Sequence, residues 1–287
     1  MPADFKITDS RYGATLTLHK CAVCSFIFAD ASELGNLAAL YEKLDDPSYE
    51  EGAENRSIQM RWLLKLGIRA HSQPRTLLEI GSGSGLLIAE AQKLGLDAVG
   101  VELSKSLVLA AERLNGVKLV QGMFPHPQLA GKLFDLVFVV DVIEHVENPL
   151  QLLADCAQAL APGGLLLVVT PDVSSVAAKL LGQRWWHFRL AHVGYFNSSS
   201  MNEAASRAGL DIWWSCRPRW FFPVRYLTQR AAIYLPLGAI NKKAEGIAPL
   251  RRLYDRIIPL NLFDSFAYLM RRKEPPGYEP GSENKGG

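Results

Sequence analysis

A glycine-rich stretch that follows an acid carries the clearest chemical signal in the sequence. Glu79 precedes Gly81, Gly83 and Gly85 in a GxGxG spacing. Glycines at a strand-to-helix junction let a ligand approach the backbone closely and leave the first N–H groups of the helix free. A GxGxxG dinucleotide fingerprint would need glycine where the chain has Leu86. The spacing therefore predicts a ligand-binding loop but disfavours a nicotinamide-dependent oxidoreductase.

Two histidines are the candidates for acid–base chemistry. His145 follows a buried apolar run, and His192 lies in a later loop that also contains His187. Histidine titrates near neutrality and can accept a proton from a reacting hydroxyl group. A histidine in a helix-opening turn is also often a satisfied structural group, so both alternatives stay open. The same holds for the aromatic residues of the loop, which suit an acceptor pocket or core packing: Trp185, Trp186, Phe188 and Tyr195.

The cysteines do not form a disulfide scaffold, since the chain has four in 287 residues. Cys21 and Cys24 make one C-x-x-C pair, whereas a tetrahedral structural zinc site needs four ligands. Cys156 falls within a predicted helix and Cys216 ends a predicted strand, so neither completes the pair. A redox role is disfavoured because the pair does not open a helix after a core strand. No metal ligands are therefore expected from the cysteines or from the rest of the sequence.

Alternating strand and helix patterns from residue 75 onward position these groups. Short β-branched apolar runs alternate with helical patterns, which is typical of parallel βαβ units and an α/β doubly wound sheet. The predicted strands span residues 75–81, 97–102, 117–122, 134–140, 165–170, 210–216 and 263–272. Ser104 and Gly116 are the expected N-cap and stop of one helix, and Pro-Gly-Gly at 162–164 is expected to close another. Ligands of such sheets bind beyond the carboxyl ends of the strands.

The composition indicates a soluble globular chain with 48% hydrophobic and 21% charged residues and a formal net charge of +2. No apolar stretch reaches the roughly 18 residues that a transmembrane helix needs. The N-terminus lacks the basic start and apolar run of a secretory signal, so we expect a cytoplasmic location. No recognisable DNA- or RNA-binding module accompanies the basic residues, and no nucleic-acid partner is expected.

A basic insertion separates the last two predicted strands. Residues 217–263 contain nine basic and two acidic residues, a local charge of +7 against −5 for the rest of the chain. We expect a helical element that either lies on an anionic membrane surface or forms a lid over the site with its arginines in solvent. A lid whose outer face touches a membrane would serve both roles. The last segment, 273–287, is rich in Pro and Gly and is expected to be a disordered tail.

Several motifs, in order, resemble those of class I S-adenosylmethionine-dependent methyltransferases. The acid-GxGxG loop is the first motif, and Glu102 closes the second strand about 20 residues later. Segment 121–124 resembles the motif that follows the third strand. Segment 134–146 resembles the family's fourth motif, and segment 160–164 resembles the turn into its fifth strand. The resemblance covers residues 75–216, with 263–272 as an antiparallel seventh strand. It implies a Rossmann-like seven-stranded sheet with S-adenosylmethionine as the cofactor.

The resemblance also implies a set of cofactor-binding residues. Glu102 would accept hydrogen bonds from both ribose hydroxyls. The family usually places an aspartate beside the adenine amino group, where this chain has Met123, whose thioether could instead pack on the adenine face. The implied set is Glu79, Gly81, Ser82, Gly83, Gly85, Glu102, Leu103, Gly122, Met123, Asp141 and Val142.

The implied reaction is in-line methyl transfer to a small-molecule acceptor. In quinone-biosynthesis-type O-methyltransferases and their small-molecule relatives, an EHV segment lies at the position of His145 and a histidine-aromatic segment at that of His192. The resemblance therefore favours O-methylation, with these two histidines as catalytic candidates. An apolar or lipid-linked acceptor, reached by peripheral contact with the inner membrane face through 217–263, fits the insertion. The alternative is a catalytically inactive binding or scaffolding relative, which the departure at Met123 keeps open.

The N-terminal segment resembles half of a zinc ribbon that precedes some of these methyltransferases. Cys21 to Phe28 and the later Leu40-Tyr41 match its second half, and the first half is missing. We therefore expect an N-terminal segment at 1–45, a methyltransferase domain at 46–272 and the tail at 273–287.

Overall fold

A computed structural model of the chain describes residues 13–43, 53–231 and 253–273. The strands in these ranges are β1 (Leu18–Lys20), β2 (Ile27–Ala29), β3 (Thr76–Ile80), β4 (Asp97–Glu102), β5 (Val120–Gln121), β6 (Phe134–Val140), β7 (Leu160–Pro171), β8 (Gly194–Tyr195), β9 (Leu210–Cys216), β10 (Trp220–Pro223), β11 (Ile257–Leu260) and β12 (Ser265–Arg272). The α-helices are α1 (Ala31–Leu34), α2 (Leu37–Glu42), α3 (Ala53–Ala70), α4 (Leu86–Lys93), α5 (Lys105–Asn115), α6 (Pro149–Ala159), α7 (Val176–Leu181), α8 (Ser198–Arg207) and α9 (Val224–Ala231).

Seven of these strands form one sheet in the order β5-β4-β3-β6-β7-β12-β9. The strands from β5 to β7 pair in parallel, and β12 runs antiparallel to both β7 and β9. The central strands are continuous apolar runs because helices cover both of their faces. One apolar cluster lies between the sheet and α6 and α8, and a second lies between the sheet and α3 and α4. The predicted seven-stranded doubly wound fold is confirmed.

Local signals in the sequence explain where the helices begin and end. The Ser104 side chain accepts a hydrogen bond from the Leu107 N–H, and Gly116 ends α5 in a left-handed conformation, so both predicted limits are correct. Helix α8 begins with a capping box in which Asn197 and Ser200 exchange side-chain-to-backbone hydrogen bonds. These caps fix the starts of the helices that lie on either side of the sheet.

Two predicted boundaries differ from the structure. Strand β5 has only two residues, and Val117 belongs instead to the end of α5, since its N–H donates to the Ala111 carbonyl oxygen at 3.3 Å. Strand β7 begins at Leu160, so the Pro-Gly-Gly segment lies inside this strand rather than closing α6. The ladder between β6 and β7 shifts register in this region, and Gly163 adopts a φ of 76°. The two glycines therefore lie in the irregular first part of β7. The same Pro-Gly-Gly pattern is also typical of a helix end, so the sequence alone did not distinguish the two.

The N-terminal hairpin of β1 and β2 joins the rest of the fold through β8. Strand β2 pairs antiparallel with β8, with Ile27 opposite Tyr195. Cys21 and Cys24 lie in the hairpin turn and are free thiols. The zinc-ribbon comparison and the division into segments 1–45, 46–272 and 273–287 stay predictions.

The described ends of the insertion form strands as well as a helix. Strand β10 pairs antiparallel with β11, and α9 follows β10 directly. Trp220 packs against the core, and Phe222 of β10 stacks on Tyr226 of α9 at 5.3 Å between ring centroids, so the described ends of the insertion combine a strand pair with a helix. The middle of the insertion, 232–252, and the predicted tail after residue 273 lie outside the described residues. Among the described helices, none combines the length and hydropathy needed to cross a bilayer.

Candidate active site

The predicted site residues converge at the carboxyl ends of β3, β4 and β6. In this sheet β4 lies on one side of β3 and β6 on the other, so the crossover connections leave β3 in opposite directions. Such a topological switch point opens a crevice at the strand ends. Glu79 and Glu102 lie at the ends of β3 and β4, and Asp141 directly follows β6.

The glycine loop between β3 and α4 is held by short contacts that exclude larger side chains. Gly81 and Gly85 have φ values of 72° and 73°, which favour glycine. A Cβ atom on Gly81 would lie 2.4 Å from a methyl group of Val142, so this pair brings the ends of β3 and β6 into contact. The Ser82 hydroxyl donates to the carbonyl oxygen of Glu79 at 3.0 Å. This hydrogen bond fixes the glycine loop against the end of β3.

Glu102 ties the loop to the end of β4. Its carboxylate accepts a hydrogen bond from the Gly83 N–H and another from the Ser104 N–H, each at 2.8 Å. Its own carbonyl oxygen accepts from the Gly122 N–H at 2.9 Å. Burial raises the pKa of Glu102, and the backbone donors oppose that rise. Each carboxylate oxygen keeps a further lone pair for a ligand hydroxyl.

Glu79 is buried without a matching cation in the described part of the chain. One of its carboxylate oxygens, Oε2, has no hydrogen-bond partner there. Burial, assisted by the Glu102 charge, raises the pKa of Glu79 well above its ordinary value. A buried acceptor in this state suits a ligand that brings its own donor or positive charge.

The remaining predicted cofactor residues surround the same crevice. Met123 is 59% exposed, so its thioether is accessible beside Gly122 rather than packed in the core. Leu103 is half-buried next to Glu102. Asp141 adopts a φ of 52°, a left-handed conformation that costs about 1 kcal/mol or more in a non-glycine residue. Asp141 as a whole residue is exposed, but the surrounding protein withdraws its carboxyl group from water and so raises the pKa of that group to about 7.

Three histidines form a second group, which we call the histidine cluster: His145, His187 and His192. The ring of His192 lies edge-on to His145, with 4.7 Å between centroids, and stacks on His187 at 5.6 Å. His145 Nδ1 lies 2.8 Å from the carbonyl oxygen of Ala191 and 2.8 Å from the Tyr41 hydroxyl. The structure thus brings together the two histidines that the sequence singled out.

Burial disfavours the charged, doubly protonated form of all three imidazoles in the histidine cluster. Burial lowers the pKa of His145 to about 4 and that of His192 well below its ordinary value, and the Arg189 guanidinium lowers both further. The pKa of His187 is lowered as well, although its hydrogen bond to Asp264 opposes the change. Imidazoles with such low pKa values are unprotonated but weak bases.

Sequence reasoning missed Glu144, which lies beside the histidine cluster. It is 2% exposed, and its Oε2 accepts a hydrogen bond from Thr170 Oγ1 at 3.1 Å. Burial and the Asp141 charge raise the pKa of Glu144 to about 8. The adjacent Glu-His pair at 144–145 was the available signal, since a short 3₁₀ turn over Ile143–His145 holds both side chains at the strand end.

The aromatic residues of the loop pack together next to the histidine cluster. Trp185 and Tyr195 are at most 2% exposed and pack with Ala178, so they are core residues. Trp186 is half-buried, and its Nε1 donates to Asp264 Oδ2 at 2.8 Å. Phe188 packs edge-on against Trp185. All four therefore belong to one apolar cluster, and three of them also contact rings of the histidine cluster: Trp185 and Trp186 lie 4.9 and 6.2 Å from His187, and Tyr195 lies 6.1 Å from His192.

Known proteins resemble this chain over the same region. The sequence model of a methyltransferase domain family matches residues 52–214. A ubiquinone biosynthesis O-methyltransferase of Cereibacter sphaeroides is 32% identical over 148 residues, which cover 47% of this chain and 60% of that protein. One of Parvibaculum lavamentivorans is 37% identical over 98 residues, covering 32% and 39%. The chain thus spans less than two thirds of the length of these curated relatives.

Solved structures share the fold at low sequence identity. A SAM-dependent methyltransferase from Archaeoglobus fulgidus is 16% identical with a TM-score of 0.53, over 79% of this chain and all of that chain. An S-adenosylmethionine-dependent methyltransferase from Clostridium acetobutylicum is 11% identical with a TM-score of 0.52, over 83% and 98%. Together with the strand order and the acid-GxGxG loop, the match over more than half of the sequence shows that this chain belongs to the methyltransferase domain family, in its class I S-adenosylmethionine-dependent form.

Proposed function

We propose that this protein transfers a methyl group from S-adenosylmethionine to a hydroxyl group of a small molecule. The observation that carries the proposal is the grouping at the strand ends: Glu102 after β4 bonds to the glycine loop after β3, and the rings of the histidine cluster contact one another after β6. The relatives named as O-methyltransferases of ubiquinone biosynthesis support a hydroxyl acceptor. The site residues and their roles below are part of this proposal.

The crevice fits the cofactor in its donor and acceptor groups. Glu102 has acceptor capacity for the ribose hydroxyls, because its two backbone donors leave lone pairs on both oxygens. Glu79 offers a buried, unpartnered acceptor to the α-ammonium group of the amino acid part. Exposed Met123 can cover the adenine face by moving its flexible side chain.

The chain's own residues orient the reactants and exclude water. When bound, S-adenosylmethionine supplies the activated methyl group. Asp141 and Val142 link the two groups along the chain, because Val142 lies against Gly81 of the glycine loop and the next three residues form the turn that contains His145. Alignment of an acceptor with the methyl group accounts for much of such catalysis. Because His145 and His192 have strongly lowered pKa values, we assign them to acceptor binding rather than to removal of a phenolic proton.

The acceptor we propose is apolar or lipid-linked, with peripheral contact to a membrane through the insertion. Trp220, Phe221 and Phe222 lie on β10 beside the arginines of the insertion, and such mixtures bind the headgroup boundary of anionic bilayers. One arginine departs from this surface role: Arg217 pairs with buried Asp172 at 2.6 Å and packs 3.5 Å above the Phe266 ring.

Calorimetric titration with S-adenosylmethionine, S-adenosylhomocysteine and NAD tests the cofactor. We expect micromolar affinity for the two adenosyl ligands and none for NAD. An acceptor screen that includes membrane extracts, read by formation of S-adenosylhomocysteine, then tests transfer. No binding of either adenosyl ligand to a folded sample would refute the proposal. Binding with no turnover in any acceptor class would favour the inactive relative.

A further inference from the structure

Three buried groups at the end of β6 carry the arrangement of a metal site. Among the residues that the structure describes, Glu144, His145 and His192 form the single group of three or more ligand-type side chains that lie within 4.8 Å of one another. No hydrogen bond joins these three side chains to each other within the described ranges, although two are over 95% buried. Nδ1 of His192 has no hydrogen-bond partner there. Buried polar groups are seldom left in this state without a ligand.

Surrounding contacts fix the ligand atoms. A carbonyl oxygen only accepts, so His145 Nδ1 carries the proton that it shares with Ala191, and its Nε2 carries the free lone pair. The Thr170 hydroxyl donates a hydrogen bond to Glu144 Oε2 and thereby orients the Glu144 side chain. Outer hydrogen bonds of this kind orient metal ligands in known sites.

The two chain segments that supply the ligands are also bound to each other. The N–H of Val193 donates to the carbonyl oxygen of Glu144 at 2.9 Å, next to the contact between His145 and Ala191. In a tetrahedral zinc site, bonds of about 2.05 Å place the ligand atoms about 3.4 Å apart. The three groups thus need to close by at most about 1.4 Å, which is within the reach of side-chain rotation on these clamped segments.

We propose that Glu144, His145 and His192 bind one divalent first-row metal ion, with Zn²⁺ as the best match to the ligand set. Two imidazoles and one carboxylate leave a coordination position open, as catalytic zinc sites do. The family comparison and the sequence analysis assign no such site.

The electrostatic state of the group agrees with a bound cation. Two imidazoles and a carboxylate share one largely buried space, and a metal ion there would compensate the charge of the carboxylate. Arg189 is the nearby cation that opposes a second positive charge, and Asp141 and Glu144 together offset it.

The role of the ion rests on the proposed function. An acceptor hydroxyl that occupies the open position would lose its proton to water in the crevice more readily, because a metal lowers the pKa of a bound oxygen. The acceptor oxygen then donates an electron pair to the methyl carbon, and the carbon–sulfur bond breaks with its electrons left on sulfur. The ion thereby replaces the base that His145 and His192 are too weak to provide.

Metal binding to the full chain, without cofactor or acceptor, tests the site separately from methyl transfer. Chelator-stripped protein is titrated with Zn²⁺ and Co²⁺, by calorimetry and by the visible absorption of bound Co²⁺. We expect the wild-type protein to bind one equivalent of metal ion. Glu144→Gln and His192→Asn should each bind the ion at least about tenfold more weakly. His187→Gln removes a histidine that stacks on His192 but is not one of the three proposed ligands, so its metal affinity should not change. S-adenosylhomocysteine affinity and circular dichroism show whether each variant is folded. If one of the two ligand variants does not fold, His145→Gln replaces it in the test.

The cysteine pair is the competing zinc site, so Cys21→Ser/Cys24→Ser is the second control. Retention of one equivalent by this variant supports the proposal. If this variant loses the bound equivalent, the ion belongs to the hairpin and the proposal is overturned. Two other results would also overturn it: a wild-type chain that binds no metal, and a His187→Gln variant whose metal binding is weakened as much as that of Glu144→Gln. A chain that binds metal at the three groups but transfers no methyl group would refute only the proposed function.

Discussion

Removal of the Glu102 carboxylate is the sharpest test of the cofactor side of the crevice. Glu102→Ala takes away the acceptor of the Gly83 and Ser104 N–H groups as well as the proposed ribose contacts. A hydrogen bond to a charged group contributes about 1.5 to 3 kcal/mol. Loss of one such contact corresponds to about 10- to 150-fold weaker binding of S-adenosylmethionine.

The matched control lies on the same strand. Asp97→Ala removes an exposed carboxylate from the opposite end of β4, far from the crevice, and we expect unchanged affinity. Calorimetric titration gives both dissociation constants, and thermal unfolding shows whether the glycine loop has collapsed. If Glu102→Ala bound the cofactor as tightly as the wild type, or if both variants weakened binding equally, the ribose assignment would be refuted.

Three further outcomes follow from contacts described above. Arg217→Ala leaves Asp172 buried without its cation and should lower the free energy of unfolding by about 3 kcal/mol, whereas exposed Arg219→Ala should not; chemical denaturation compares them. Because the folded-state pKa of Glu79 is raised, its carboxyl group stabilises the fold at acid pH and loses that contribution as pH rises. Glu79→Gln should therefore exceed the wild-type melting temperature by more at pH 8 than at pH 5, while it binds S-adenosylmethionine less tightly; a pH-independent difference would contradict the burial argument. Tyr41→Phe removes a hydroxyl beside the histidine cluster and should lower kcat/KM for the acceptor about fivefold with cofactor affinity unchanged, as measured by steady-state kinetics and titration.

The parts of the fold that follow from local pattern were predictable. The apolar runs at β3, β4 and β6 and the cap at Ser104 are signals within a few residues, and the structure confirms them. The start of β7 was not predictable from local pattern, because Pro-Gly-Gly is typical both of a helix end and of an irregular strand start. Only the hydrogen-bonded pairing of β7 with β6 distinguishes the two.

The site was predictable to the same extent. The acid and glycines of the first motif lie in one short segment, so their proximity follows from sequence. Glu144 and His192 are 48 residues apart, and the backbone bond between Val193 and Glu144 that unites them depends on tertiary packing. The pKa values of these groups depend on burial, which no spacing of residues reveals.

The pairing of β2 with β8 sets an order of events during synthesis. Ile27 and Tyr195 are 168 residues apart, and at about 5 to 20 residues per second a ribosome needs roughly 8 to 34 seconds to make the partner strand. Through that interval the hairpin exposes the edge of β2, with Phe28 beside it. Both hairpin strands are only three residues long, which limits their use as a template for pairing between nascent chains. The hairpin is therefore among the first described elements to be translated, and β2 gains its partner strand only after residues 194–195 have been made.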